Sequence, residues 1–459
     1  MPVQPSGHRL PSGLLVDLYQ LTMGQSFVAE GLSERPATFS LFFRTLPPGW
    51  GYALACGLED ALGYVEALRF GAADLDYLER TGLFDERFLE RLRSFRFGGT
   101  VRALAEGTAV FPNEPLLEVT APVLEAQVAE TMVLNEVHLQ TLVASKASRS
   151  VDVADGRTLV DFSLRRTHGG EAGMKVARAS YVAGFDATSN VLAGRIYGIP
   201  IAGTMAHSYV ECFVDELEAF RAFARSYPDS AILLVDTYST LEGARKAVVV
   251  ARELAAAGHR LQGVRLDSGD LLVLSKGVRA ILDGAGFADA TVFASGGLDE
   301  QEIARLVSAG APIGGFGVGT KMGVSADAPF LDMAYKLVDF DGRPVLKSSE
   351  GKATLPGAKQ VWRVRRDGGA AHDLLGLAHE DRDGEGLLHE VMRDGRATRS
   401  ESLAEIRERA RRERESLPER VRAIEGGEYD VRVGSALEAL RERLTAEQAR
   451  LASDVDDVR

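Results

Sequence analysis

The chain of 459 residues is long enough for two or three domains, and its 26% charged residues, 45% hydrophobic residues and 48 glycines are a globular composition with many turns. The formal net charge of −13 argues against a nucleic-acid partner, although backbone amides and arginines can still bind a small anion locally. Two cysteines without a disulfide or zinc pattern, no signal-peptide pattern and no apolar run of membrane-spanning length lead us to expect a soluble cytoplasmic protein without a membrane partner.

Residues 1–135 predict an N-terminal α+β domain. The stretch "LLVDLYQLTMGQSFVAEG" has helical spacing with Asp17 near its start as a cap, and "CGLEDALGYVEALRF" also predicts a helix. "ATFSLFFRTLPP" predicts a strand that ends in a proline turn, and "GTVRALAEGTAVFPNEPLLEVTAP" predicts short strands between Gly and Pro turns. A long helix without internal Gly or Pro follows, from about Val123 to Arg149.

Strand and helix patterns alternate from about residue 158. Six apolar strand candidates begin near residues 158, 200, 232, 263, 291 and 314, and such repeated units imply parallel strands with right-handed crossovers. A full barrel needs eight strands, so we predict an α/β protein with an irregular TIM-like β/α barrel over residues 136–345. Residues 346–459 are predicted to pack with the N-terminal domain. Their charge run "LAEIRERARRERESLPERV" predicts a helix with a solvated face, interrupted by Pro418.

Polar residues follow the predicted strands at the ends that converge on one face of a β/α barrel, so we expect them to line one pocket. In chain order they are Arg165, Arg166 and His168, then Thr204 and His207, Asp236 and Thr237, Arg265, Asp267, Ser268 and Asp270, Ser295, Gly296 and Gly297, and Gly319 and Thr320. Taken singly, Asp236 and Ser295 could each be a helix cap. A histidine such as His207 in "GTMAHSYV" is either a core residue or a nucleophile or proton carrier at the pocket mouth.

The chemistry of these residues predicts a site for a phosphorylated sugar and an anionic group. The glycines of "SGG" and "GVGT" allow close approach of backbone amides to phosphate. Arg165 and Arg265 suit carboxylate or phosphate oxygens, and Asp267 and Asp270 suit ribose hydroxyls or an Mg²⁺ ion that carries pyrophosphate. The sequence contains no Walker A, HExxH or CxxC motif, which argues against P-loop and zinc enzymes.

Ordered motifs from about residue 14 to the tail "LPERVRAIEGG" resemble bacterial nicotinate phosphoribosyltransferase, of the type II phosphoribosyltransferase family. They include "VDLYQLTM", "FSLFFRTLPPGWGYALACGLEDAL", "DFSLRRTHG", "GFDATSNVLAGRIYGIPIAGTMAHS", "GVRLDSGDL", "GFGVGT" and "YKLV". The resemblance implies formation of nicotinate mononucleotide from nicotinate and 5-phosphoribosyl 1-pyrophosphate, in NAD biosynthesis. It also implies ATP as a co-substrate, hydrolysed through a phosphohistidine, with Mg²⁺ as cofactor.

The same resemblance assigns roles to individual residues. It implies that His207 is the phosphohistidine and that Asp267 is a catalytic residue contacting ribose or metal. It implies that Thr204, Phe162 and Tyr19 surround nicotinate, the tyrosine crossing the interface of a homodimer with composite active sites. The resemblance further implies ligands for nicotinate carboxylate or phosphate, which are Arg165, Arg265, Thr320 and, from the partner subunit, Arg44. The glycine turns add the substrate-binding candidates Ser295, Gly296, Gly297 and Gly319.

Substrate choice depends on "GFDATSN". Related nicotinamide-using enzymes carry an aspartate where this sequence has Ser189, and a carboxylate there would repel nicotinate. Asp186 lies three residues earlier, so the alignment of this loop stays open at the level of sequence. The alternatives to nicotinate phosphoribosyl transfer are nicotinamide or quinolinate phosphoribosyl transfer and a non-catalytic metabolite-binding barrel.

Overall fold

A computed structural model describes residues 12–347 and 354–456. The chain forms two compact units, one made of the residues up to Leu142 with those from Phe330 onward, and one made of Val143–Pro329. The strand Met333–Phe340 falls within the predicted barrel range, but it pairs with Pro36–Phe43 in the first unit. Within the described ranges, no helix is long and apolar enough to cross a membrane.

The first unit is built on a seven-stranded antiparallel sheet that combines strands from both ends of the chain. Its order is Arg343–Pro344, Met333–Phe340, Pro36–Phe43, Leu117–Pro122, Thr100–Leu104, Leu388–Arg393 and Arg396–Ala397. A second sheet has the order Glu385–Gly386, Lys359–Arg366, Gly369–Leu377 and Val431–Val433, and a third pairs Ala53–Leu54 with Ala109–Val110. The predicted strands of the N-terminal part are therefore confirmed.

The helices of this unit also match the sequence patterns. Leu18–Ala29 begins after Asp17, whose backbone N–H donates to Gln20 Oε1 over 3.1 Å. The predicted long helix spans Val123–Val153 and continues into the second unit. The remaining helices are Leu58–Ala67, Ala72–Thr81, Glu86–Arg93, Leu403–Ser416, Glu419–Arg422 and Ser435–Asp456. Pro418 separates two of them, as predicted from its lack of an amide hydrogen.

The charged C-terminal helix is more than a solvated face. Along Leu403–Ser416, the described side chains of Ile406, Ala410, Glu413 and Arg414 are buried. Arg363 is fully buried, pairs with Asp373 over 2.6 Å and forms an ion pair with Glu413. The prediction was wrong for this part of the helix, because the residue that pairs with Glu413 lies 50 positions away in the chain.

The second unit is an open, curled half-barrel of six parallel strands. The strand order is Ala187–Thr188, Thr158–Asp161, Gly315–Val318, Thr291–Ala294, Gly263–Leu266 and Ile232–Leu234. The α/β class is confirmed, as are five of the six predicted strands. The helices are Gly170–Ala183, Val191–Tyr197, His207–Glu211, Glu216–Ser226, Thr240–Ala256, Leu271–Gly284, Glu300–Ser308 and Thr320–Gly323, with a 3₁₀ turn at Leu164–Arg166.

The strand predicted near residue 200 was wrong. Ala187–Thr188 occupies that place in the sheet, and Ile201 forms only an isolated bridge to Thr188. Thr188 donates its N–H to Pro200 O over 3.0 Å, but Pro200 has no amide hydrogen with which to extend the ladder. The apolar stretch "IPIAG" therefore runs beside the sheet edge without becoming a full strand.

Candidate active site

The polar residues that follow the parallel strands of the half-barrel lie along one edge of the sheet. Because neighbouring strands run in the same direction, the residues that follow their carboxyl ends lie side by side. Those residues include Phe162, Ser189, Asp236, Asp267, Ser295 and Gly319. The strand-end residues among those predicted from the sequence, which are Phe162, Asp236, Asp267, Ser295 and Gly319, are thus brought to the same edge.

His207 lies at the start of the short helix His207–Glu211, with its two ring nitrogens in different surroundings. Nδ1 is 3.2 Å from the hydroxyl of Thr237, and Nε2 is 3.9 Å from Asp267 Oδ2. The imidazole is 39% exposed, which excludes the core-histidine alternative. When Nδ1–H donates to Thr237, Nε2 keeps its lone pair and can act as a nucleophile.

Asp267 is held in place by a buried carboxylate and a serine. Asp236 Oδ2 accepts from the Asp267 N–H over 2.9 Å and from the Ser268 hydroxyl over 2.6 Å. Ser295 Oγ donates to Asp267 Oδ1 over 2.5 Å. Asp267 Oδ2 therefore remains directed towards His207, with the carboxylate 38% exposed.

Asp236 and Ser295 do not cap the helices that follow them in the chain. The residues at the N-caps of the following helices are Ser239 and Asp299, so the cap alternative was wrong for both. Asp270 was predicted beside Asp267 as a ribose or Mg²⁺ ligand. In the structure, it caps the helix Leu271–Gly284, because its Oδ1 accepts from Leu272 N over 3.1 Å and from Val273 N over 3.2 Å.

Arg265 lies against the Phe162 ring and next to an acidic pair. Its Cζ atom is 5.8 Å from the ring centroid, and Nη2 donates to Met205 O over 2.8 Å. Burial lowers the pKa of Arg265, and the charge of Arg165 lowers it further. The carboxylates of Asp267 and Asp236 act in the opposite direction. A buried Nε without a hydrogen-bond partner in the described residues leaves this guanidinium with unused donor capacity.

Phe162 owes its position to a glycine on the neighbouring strand. A Cβ atom on Gly317 would lie 2.4 Å from the Phe162 ring, so only glycine leaves room for it there. The ring also packs at 6.2 Å, centroid to centroid, from Phe293. Thr204 is partly buried, and its hydroxyl makes only a weak 3.4 Å contact with Met205 O. An aromatic face with an arginine beside it suits a planar aromatic acid.

Two family models match this sequence over most of its length. Residues 14–138 match the nicotinate phosphoribosyltransferase N-terminal domain, and residues 157–374 match the nicotinate phosphoribosyltransferase family. The chain belongs to the nicotinate phosphoribosyltransferase family.

Individual relatives agree. Nicotinate phosphoribosyltransferase pncB2 of Mycobacterium tuberculosis is 49% identical over 442 residues, which cover 95% of this chain and 93% of the relative. Nicotinate phosphoribosyltransferase of Bacillus subtilis is 45% identical over 360 residues, which cover 76% and 73%. The crystal structure of human nicotinic acid phosphoribosyltransferase aligns with a TM-score of 0.84 at 31% identity, covering 93% of this chain and 99% of that one.

Asp186 and Ser189 lie at opposite ends of the strand Ala187–Thr188. Asp186 precedes the strand Ala187–Thr188 and accepts from Leu159 N over 2.9 Å, near the amino end of the adjacent strand. Ser189 follows that strand, and its N–H donates to Asp161 O over 2.8 Å at the carboxyl end. Ser189 is therefore on the same edge as Asp267 and Ser295, and Asp186 is at the opposite end.

Tyr19 and Arg44 belong to the first unit. Tyr19 lies in Leu18–Ala29, is 47% exposed and has its pKa raised by partial burial and by the carboxylate of Glu130. Arg44 follows Pro36–Phe43, and its Nη1 donates to Asp332 Oδ1 over 2.9 Å. Their roles in a shared site of the nicotinate phosphoribosyltransferase family stay predictions.

Sequence reasoning missed Asp161, which organises the start of the site. Its Oδ1 accepts from Ser163 N over 2.8 Å, and its Oδ2 accepts from Thr188 Oγ1, also over 2.8 Å. Burial raises the pKa of Asp161, and these hydrogen bonds oppose the shift. An aspartate inside the apolar run "TLVDF" was the available signal, because a carboxylate is rarely buried without partners.

Among the residues the structure describes, no group of three or more His, Cys, Asp or Glu side chains could hold a metal ion. Mg²⁺ commonly binds with one or two carboxylates, substrate phosphates and water. Asp267 keeps Oδ2 open and is 38% exposed, so its carboxylate is the one here that suits an Mg²⁺ ion arriving with phosphates.

Gly296 and Gly297 differ in what a side chain would meet, which makes them a matched pair. Gly296 has φ +90° and a Cβ there would lie 1.8 Å from Asp267 O, whereas Gly297 has φ +66° and nothing within 4 Å. We expect Gly296→Ala to displace Asp267, lower Tm by about 5 °C or more and reduce activity at least tenfold. Gly297→Ala carries only the backbone cost of about 1 kcal/mol. Thermal melts and product assays check this, and equal effects of the two variants would contradict it.

Proposed function

We propose that this chain transfers the phosphoribosyl group of 5-phosphoribosyl 1-pyrophosphate to nicotinate. The bond between ribose C1 and a pyrophosphate oxygen breaks, and a bond between C1 and the pyridine nitrogen forms, which yields nicotinate mononucleotide and pyrophosphate for NAD biosynthesis. The observation that carries the proposal is Arg265 beside the Phe162 ring, with its guanidinium carbon 5.8 Å from the centroid. This arrangement supplies an aromatic face and a cation for an aromatic carboxylate.

The remaining edge residues suit the sugar co-substrate. Asp267 presents its open carboxylate oxygen for a ribose hydroxyl or for Mg²⁺ bound to pyrophosphate. The turns at Gly296, Gly297, Gly319 and Thr320 offer backbone amides and the Thr320 hydroxyl to the sugar phosphate. A site arranged in this way orients C1 between its two reaction partners, which is the main contribution a protein makes to such a displacement.

We also propose that ATP hydrolysis is coupled to this transfer through His207. Attack by Nε2 on the γ-phosphorus of ATP forms an N–P bond as the bond to the ADP oxygen breaks, and water later cleaves the phosphohistidine. What supports this is the open Nε2 and the Thr237 contact at Nδ1, which holds the ring in one orientation. Mg²⁺, when bound, neutralises charge on the phosphates.

Three other activities are distinguishable by one assay. Purified protein is given 5-phosphoribosyl 1-pyrophosphate and Mg²⁺ with nicotinate, nicotinamide or quinolinate, with and without ATP. We expect nicotinate mononucleotide from nicotinate and faster turnover with ATP, accompanied by acid-labile label on the protein from γ-labelled ATP. Product from nicotinamide or quinolinate alone would establish the corresponding alternative, and no product from any base would favour a metabolite-binding barrel.

We also propose a cytoplasmic homodimer whose sites combine residues of both subunits. Tyr19 and Arg44 support it, because both lie outside the half-barrel unit and the family resemblance gives them roles at the pyridine ring and at phosphate. An isologous dimer would form two equivalent composite sites.

Complementation tests the shared site. Tyr19→Ala/Arg44→Ala chains, mixed under subunit exchange with His207→Ala chains that lack ATP-coupled activity, should regain up to about a quarter of the wild-type ATP-coupled activity. About half of the dimers are then mixed, and each mixed dimer has one intact site of two. Native mass spectrometry confirms the exchange, and each variant alone is the control. Exchange without recovered activity would show that Tyr19 and Arg44 act within their own chain.

A further inference from the structure

An ion pair connects the two glycine-bearing turns of the half-barrel. Lys321 Nζ donates to Asp299 Oδ2 over 2.6 Å. Lys321 directly follows Thr320 in "GVGTK", and Asp299 lies two residues after Gly297 in "SGGLD". The lysine side chain is 44% exposed, so its ammonium group lies at the solvent-accessible side of these turns.

Asp299 is an anion with two separate tasks. Its Oδ1 accepts from Glu302 N over 2.9 Å and caps the helix Glu300–Ser308, while Oδ2 pairs with Lys321. Burial acts to raise the pKa of Asp299, but the hydrogen bonds from Lys321 and from Glu302 N together lower it. The helix cap and the ion pair therefore use different oxygens and are separable by mutation.

A second set of ion pairs also connects these two segments. Lys146 is 3% exposed, donates to Glu300 Oε1 over 2.7 Å and also bonds Asp327, which follows the second turn. Glu300 Oε1 additionally accepts from Arg149 Nε over 2.9 Å. These buried bonds hold the two segments together independently of the Lys321–Asp299 pair, in which the lysine is 44% exposed and the aspartate 19%.

We propose that Lys321 is a further binding residue for the sugar phosphate, and that Asp299 holds its ammonium group in place until phosphate arrives. The proposal rests on the proposed function, since it takes the two glycine turns as the phosphate site. A phosphate dianion attracts an ammonium group more strongly than a single carboxylate does, so Lys321 exchanges partners at little cost. Asp299 then competes with phosphate for the same lysine.

Two variants that should change the KM for 5-phosphoribosyl 1-pyrophosphate in opposite directions test this proposal. Lys321→Met should raise the KM for 5-phosphoribosyl 1-pyrophosphate about tenfold, with the nicotinate KM and kcat changed less than about twofold. Lys321→Arg should restore most of the loss, because the charge is retained. Asp299→Asn keeps a good helix cap but removes the competing charge, so this KM should fall about two- to threefold. The affinity for ribose 5-phosphate, measured by calorimetry, should change in the same directions.

Arg221→Met is the matched control, since Arg221 forms a 2.6 Å ion pair with Glu253 on the same unit, far along the chain from both turns. It should leave every constant unchanged. A rise in KM for both Lys321→Met and Asp299→Asn would overturn the proposal in favour of a mechanical clamp. An unchanged KM in either variant would overturn that residue's role. If wild type forms no nicotinate mononucleotide, the proposed function fails, and ribose 5-phosphate binding still reports on Lys321.

Discussion

Replacing His207 by alanine is expected to abolish ATP hydrolysis and phosphorylation of the protein. The imidazole contacts Thr237 through Nδ1 and is open at Nε2. Among the described residues, His207 is the histidine that lies next to Thr237 and Asp267. Loss of the nucleophile removes the covalent step, so ATPase activity should drop by at least about 10³-fold. Slow phosphoribosyl transfer without ATP should survive, because the residues around Phe162 and Arg265 are untouched.

Thr237→Val is the companion variant. It keeps the shape of the side chain and removes the hydroxyl 3.2 Å from Nδ1, so His207 loses its orienting partner and remains a nucleophile. We expect phosphorylation to slow by about tenfold, the worth of one hydrogen bond of about 1.4 kcal/mol. Rapid-quench measurement of acid-labile label resolves the two variants. Full ATP coupling in His207→Ala would refute its assignment as the phosphohistidine.

Nicotinate should be preferred over nicotinamide by about two orders of magnitude or more in kcat/KM. Arg265 has a charged guanidinium with unused donor capacity. The family resemblance places Ser189 at the position where nicotinamide-using enzymes carry an aspartate. An amide substrate leaves these donors without an anion, which is a heavy penalty at a partly buried site. Ser189→Asp should reverse part of the preference by repelling nicotinate and accepting from the amide.

Asp186→Asn provides the positional control for that change. Asp186 lies at the other end of the same two-residue strand, and asparagine retains an oxygen that accepts from Leu159 N. Its substrate preference should equal that of wild type. Equal use of both bases by wild type, or a shift in Asp186→Asn as large as in Ser189→Asp, would contradict the placement of Ser189 at the substrate.

Local patterns were sufficient for most of the elements. Apolar runs such as "AILLVDTY" and "GVRLDSG" predicted the strands Ile232–Leu234 and Gly263–Leu266, because strands buried on both faces are continuously apolar. The same reasoning failed at "IPIAGTM", where an apolar run includes a proline that cannot donate to a ladder. It also failed at Glu413, since a charged residue within a charge run carries no local sign of its buried partner Arg363.

The sequence by itself determined the α/β class, the glycine turns and the set of polar residues at the strand ends, because hydrophobic period and turn chemistry are short-range properties. Only the tertiary structure decided which of these residues meet. The sheet order places Gly315–Val318 between Thr158–Asp161 and Thr291–Ala294, so neighbours in space are far apart in the chain. That order sets Asp236 beside Asp267 and brings Lys321 to Asp299, while the strand Ala187–Thr188 puts Ser189 and Asp186 at opposite ends. Hydrogen bonds and ion pairs act over about 3 Å, and chain spacing alone does not specify such distances.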